Sequence, residues 1–122
     1  MSTRAQWESE NLKSGEIYAG LILGKNGPDH HLILLPGEAE NLTFAQANEW
    51  AKEAGGELPS RREQSLLFAN CKDQFQPRWY WSSEQHAANG SCAWMQDFDD
   101  GDQNNSHKGG EFRARAVRRV TI

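Results

Sequence analysis

The chain has 122 residues, of which 37% are hydrophobic and 25% charged, with a formal net charge of -4. Its length bounds it to one domain with one sizeable core, and its balance excludes a disordered chain. The acidity argues against a general nucleic-acid binder, and no apolar run approaches the ~20 residues of a membrane span.

Met1 to Ser14 is polar apart from Trp7 and Leu12, which predicts a flexible or loosely docked N-terminal arm ahead of a domain over residues 15–122. It carries no secretory signal pattern, so cytoplasmic placement is expected. Cys71 and Cys92 are then expected as reduced thiols, with a pairing between them left open. Glu16 to Leu23 alternates, putting Ile17, Ala19, Leu21 and Leu23 on one strand face. The turn Gly24-Lys25-Asn26-Gly27-Pro28-Asp29 leads into a second strand over His31 to Leu35, which predicts a hairpin with Leu32 to Leu35 buried.

Thr43 with Gln46, and Ser60 with Glu63, are capping boxes. They predict helices over 43–54, with a stripe of Phe44, Ala47, Ala51 and Ala54, and over 60–70. Gly55-Gly56 stops the first. Strands are expected at Trp79 to Ser82 and Ala93 to Phe98. A long polar loop is expected from Asp99 to Gly110. One last strand is expected from Phe112 to Ile122, with Phe112, Ala114, Ala116, Val120 and Ile122 on one face. Two helices packed on antiparallel strands, with a long polar loop, define an α+β fold.

Asp97-Phe98-Asp99-Asp100-Gly101-Asp102-Gln103-Asn104-Asn105 offers oxygen ligands, yet it lacks the terminal Glu and flanking helices of an EF-hand; a solvated loop with Asx turns is the expectation, with no metal. Trp79 and Trp81 point to one side of their strand and Tyr80 to the other, and core and ligand roles both stay open for Trp79. Arg113, Arg115 and Arg119 share a face of the last strand as alternated, and Arg118 falls on the apolar face. That row suits carboxylate or phosphate, or pairing with acids such as Asp97 or Asp99. Arg118 is expected in a buried or half-buried pair. His30, His31, His86 and His107 make no metal-ligand pattern, and neither a nucleophile elbow nor a phosphate loop is present. No catalytic residue and no cofactor are expected.

Gly55-Gly56-Glu57-Leu58-Pro59-Ser60-Arg61-Arg62-Glu63, Trp79-Tyr80-Trp81-Ser82-Ser83-Glu84 and the arginine-rich end Arg113 to Val120 follow one another in a telling order. In that order they resemble short bacterial and prophage domains of unknown function with a C-type-lectin-like fold, distantly similar to the formylglycine-generating enzymes. The resemblance runs from about Gly15 to Ile122 and implies a single lectin-like domain, with Trp81 of the Trp81-Ser82-Ser83 motif mainly a core residue. Calcium-dependent lectins carry Glu-Pro-Asn or Gln-Pro-Asp and Trp-Asn-Asp; here stand Gln76-Pro77-Arg78 and Trp94-Met95-Gln96. Cys71 and Cys92 do not match the cysteine pair of the formylglycine-generating enzymes.

The expected function is a non-catalytic module, of phage or prophage origin by that resemblance. It would bind a protein or glycan partner through a polar loop, with no nucleic acid and no membrane, and sit in the bacterial host cytoplasm or on a virion. Its contact residues are expected to be Trp79, Asp99, Asp102, Gln103, Asn104, Asn105, His107 and Lys108, with Arg113 and Arg115 as secondary candidates. The alternatives are a small phage effector that blocks a host protein, with Asp97 to Asp102 mimicking nucleic-acid charge, and a metal-dependent enzyme around Asp99, Asp102 and His107.

Overall fold

Three helices open on the same chemical device. Thr3, Thr43 and Ser60 each accept the N–H three residues on, and Gln6, Gln46 and Glu63 reach back to the cap N–H. Two orphan donors are satisfied at each start. The helices are α1 (Arg4–Asn11), α2 (Phe44–Glu53) and α3 (Arg61–Cys71) in the computed structural model, which describes residues 3–122. α1 corrects the expectation of a flexible arm. Trp7 holds it to the domain by packing on His31 and Tyr18, with ring centroids 4.2 and 5.0 Å apart. Met1 and Ser2, the start of the expected arm, lie outside the described residues.

The predicted helices both form. Phe44, Ala47 and Ala51 are the buried stripe of α2, while Ala54 is an exposed C-cap. Gly55, at φ +93°, turns the chain out of the helix, and Gly56 is demanded by space, since a Cβ there would lie 2.2 Å from the Val117 carbonyl oxygen.

The strands are β1 (Ile17–Ile22), β2 (His30–Leu34), β3 (Ala39–Leu42), β4 (Trp79–His86), β5 (Asn89–Asp97), β6 (Gln103–His107), β7 (Phe112–Ala114) and β8 (Val117–Thr121). They form one sheet in the order β1-β2-β8 and another in the order β3-β7-β4-β5-β6. The β1–β2 hairpin forms as predicted and Leu32 to Leu35 are buried. A register shift between Tyr18 and Gly20 breaks the alternation expected of β1. Ala19 and Ile22 point inward and Leu21 and Leu23 are exposed.

Three further expectations are corrected. The stretch from Asp99 to Gly110 is not all loop: β6 pairs with β5 through five successive partners, from Cys92↔His107 to Gln96↔Gln103. Polar side chains gave no strand pattern, and backbone pairing supplies the strand instead. The last strand is two, in different sheets. Arg115 turns inward to the carbonyls of Gln74 and Leu35, at 2.7 and 2.9 Å, and the Leu35 N–H bonds the Ala116 carbonyl. The chain thus crosses between the sheets there, and the single face expected from Phe112 to Ile122 is split. Finally, β4 and β7 run parallel where Tyr80 meets Arg113, so the five-stranded sheet is not wholly antiparallel.

The five-stranded sheet lies between two clusters. On one side α2 covers Trp81, Met95 and Ala114. On the other, Leu67 and Cys71 of α3 join Tyr80 and Phe98 of this sheet to Ala19, Leu32, Leu34 and Val117 of the other. The architecture is α+β.

Candidate functional site

Register decides which polar residues work together. Trp79 pairs with Asp97, Trp81 with Met95, and Met95 in turn with Asn104. Alternation then puts Trp79, Met95, Asp97 and Asn104 on the α2 side of the sheet. α2 packs on β3, β4 and β7, which leaves Asn104 exposed and Trp79 half-buried. Asp102 closes the β5–β6 turn beside them, its carbonyl accepting the Asp97 N–H at 2.8 Å.

Trp79 lines a cleft of about 230 Å³ with Glu40, Asn41, Arg78, Glu111, Phe112 and Arg113. Its floor is an ion network. The Arg113 Nη1 donates to Glu38 at 2.6 Å and its Nη2 lies 2.9 Å from Glu40. The Tyr80 hydroxyl donates to the other Glu38 oxygen at 2.5 Å and accepts from the Gln76 N–H. Burial, and then the bond to Glu38, push the Tyr80 phenol far up from its ordinary value, so it stays protonated. Asn41 sits at φ +60° where β3 bulges, a conformation asparagine tolerates better than most residues. Arg78 is exposed, and its Nη1 donates to the neighbouring Pro77 carbonyl.

The structure divides the predicted contact residues. Trp79, Asp102 and Asn104 share the α2 side or its edge. Asp99 is exposed in the turn, where its N–H donates to Asp97 Oδ1, and the Asp102 N–H donates to Asp100 Oδ1. These are the expected Asx turns. Gln103 faces α3 instead. Its Nε2 donates to the Arg61 carbonyl and to Gln96 Oε1, and its Oε1 accepts from Arg61 Nε. It is thereby a structural bond between β6 and α3. Asn105 lies opposite Trp94, whose ring carries the Arg61 guanidinium at 3.6 Å and His86 at 5.2 Å. His107 ends β6 against Cys92, and Lys108 donates to Gln85 Oε1 at 2.6 Å. Asp99 and Asp102 precede one end of β6 and His107 is at the other, about 17 Å from Asp102 at strand rise. The residues of the alternative reading, a metal-dependent enzyme around Asp99, Asp102 and His107, do not come together. No group of three or more metal-ligating side chains occurs among the described residues.

The arginine row is dispersed. Arg113 lines the cleft, Arg115 is buried, Arg118 makes a bidentate pair with Glu16, and Arg119 makes one with Glu63. Pairing with acids was expected, but the partners are Glu38, Glu40, Glu16, Glu57 and Glu63 rather than Asp97 or Asp99. Arg118 is half-buried in its pair, as predicted, and Arg115 is withdrawn from the surface. Cys71 and Cys92 are free thiols; burial pushes the Cys71 thiol up.

Glu40, Asn41, Arg78, Glu111 and Phe112 were missed as site residues. Arg78 and Phe112 could have been found from their positions beside Trp79 and Arg113. Glu40 and Asn41 depend on β3, which carries no alternating apolar pattern. No helix among the described residues is long and apolar enough to cross a membrane. No family model matches this sequence, and no curated protein shows significant similarity to it.

Proposed function

We propose that the chain is a non-catalytic binding module, a C-type-lectin-like scaffold of phage or prophage origin that holds a macromolecular partner at the Trp79 cleft and the adjoining β5–β6 hairpin. The observation that carries this reading is the shared side of Trp79 and Asn104, with Asp102 at its edge, beside a cleft of about 230 Å³. Half-exposed tryptophan flanked by charged and amide side chains is the composition of a contact anchor with a polar rim. Helices α2 and α3 packed on the five-stranded sheet, and a last strand returned beside the first hairpin, support the lectin-like scaffold. The acids Asp97, Asp99, Asp100 and Asp102 favour, within the same class, a host protein with a basic surface, so a charge-mimicking effector in the host cytoplasm is the second reading; a virion-borne receptor binder uses the same face.

Capture from host lysate or cell envelope tests the reading. Trp79→Ala, and separately Asp102→Ala with Asn104→Ala, are expected to lose the captured partner and keep a wild-type melting profile. Retained capture by both variants, or a hydrolytic activity that Asp99→Ala abolishes, would overturn it.

A further inference from the structure

The chain repeatedly settles a cation on an aromatic ring. Arg61 lies 3.6 Å from the Trp94 centroid, Lys72 lies 4.9 Å from Phe68, and Arg115 lies 5.4 Å from Phe75. Trp79 is different. It packs on the core cluster beside α2 but forms no aromatic or cation pair among the described residues, although Arg78 and Arg113 line the same cleft. Arg113 is held by Glu38 and Glu40, while Arg78 is exposed, donates to the Pro77 carbonyl and makes no ion pair among the described residues. Phe112 stands edge-on to Trp81, with ring centroids 5.1 Å apart, and gives the cleft its second aromatic wall.

We propose that this cleft receives an arginine or lysine side chain of a protein partner, its cation against the Trp79 ring and its charge met by Glu111 and Glu40. The proposal rests on the binding-module reading and names the chemistry of the partner. The cleft volume matches one long side chain rather than a folded surface. Charge decides the sign. Arg113 is neutralised by Glu38 and shares Glu40, while Glu111 is exposed and makes no ion pair among the described residues. Asp97 lies directly across the strand from Trp79, and the Phe98 N–H bonds the Arg78 carbonyl, which brings the acidic turn to the same end of the sheet. An incoming carboxylate would meet these acids with Arg78 as its one uncommitted cation; an incoming guanidinium meets them as partners. A guanidinium also stacks flat on an indole, so arginine is preferred over lysine.

Two-dimensional NMR of the full chain, observing the Trp79 indole N–H, tests this with three probes: an acetylated, amidated Gly-Arg-Gly peptide, its glutamate counterpart, and a neutral disaccharide. The arginine peptide is expected to shift the Trp79 signal saturably and more weakly at high salt. Glu111→Gln is expected to weaken it by up to about fivefold, the ratio of an exposed ion pair of roughly 1 kcal/mol. Saturable binding of the disaccharide or the glutamate peptide in its place overturns this inference and leaves the binding module standing. Silence of Trp79 towards all three probes, in a chain whose spectrum is otherwise folded, overturns both.

Discussion

Glu63 is the residue on which the joint between α3 and the three-stranded sheet turns. It is 1% exposed, and its carboxylate accepts both Arg119 nitrogens at 2.7 Å, the Ser60 N–H at 2.8 Å, and meets His30 Nε2 at 2.7 Å. Burial alone would push its carboxyl up; Arg119, the Ser60 N–H and His30 outweigh that and hold it below the usual carboxylate range. A depressed folded-state value adds stability that is complete above the unfolded value and is lost as pH falls through the folded one. Glu63→Gln should cost about 3 kcal/mol at neutral pH, since it breaks a buried pair and leaves Arg119 only the exposed Glu57 as an acid partner. The loss of stability on acidification below pH 4.5 should also be shallower in the variant, which thermal melts across pH will check. Trp81, fully buried with its indole N–H on the Leu42 carbonyl, should cost about 3–5 kcal/mol on truncation to alanine. Trp79→Ala should cost much less, because that side chain is only half-buried. Alternation puts both tryptophans on one side of β4 and does not separate them; the core role of Trp81 was legible only through the resemblance and its Trp81-Ser82-Ser83 motif. The role of Glu63 was legible only as a helix cap, because its partners His30 and Arg119 come from strands 33 and 56 residues away.

Elements declared themselves where local chemistry was sufficient. The caps at Thr43 and Ser60 and the glycine pair after α2 marked two helices to within a residue or two. Thr3 and Gln6 carry the same signature, and α1 went unread because its apolar content reduces to Trp7. Thr3→Ala should free the α1 start and cost about 1 kcal/mol, seen as faster amide exchange over residues 4–11 with the rest of the domain unchanged. β6 and the break between β7 and β8 were not legible, for opposite reasons. β6 has no apolar pattern and depends on β5 for its hydrogen bonds. The β7–β8 pattern looks continuous, yet Arg115 at its centre bonds inward to carbonyls of two other segments. Gly56→Ala should be far more damaging than Gly55→Ala. The added methyl at Gly56 meets the Val117 carbonyl at 2.2 Å, in the bridge that joins Glu57 to Val117, whereas nothing lies within 4 Å of one at Gly55. Chemical denaturation of both variants will rank them.

At the scale of the whole molecule, the five-stranded sheet holds two helices on opposite faces and leaves one end of itself for contact. The α+β class followed from the sequence, and so did Trp79, Asp102 and Asn104 as candidates for one surface. Of its far wall, Arg113 was a secondary candidate, while Glu40, Asn41 and Phe112 were not read, because β3 and β7 meet only in three dimensions. In the β5–β6 turn Asp97 and Asp100 each accept a backbone N–H, and no group of three or more metal-ligating side chains forms among the described residues. Calorimetric titration with calcium should therefore detect no site tighter than about millimolar.

The central claim is that the partner sits on the Trp79 side of the five-stranded sheet, and amide hydrogen exchange of the full chain with and without its captured partner tests it most directly. Slowed exchange at Asn41, Trp79, Asp102, Asn104 and Phe112, with none gained over α1 and β1, is the result expected. Protection concentrated instead on α1 and β1, around Trp7 and Leu21, with exchange at Trp79 and Asn104 unchanged, would contradict it.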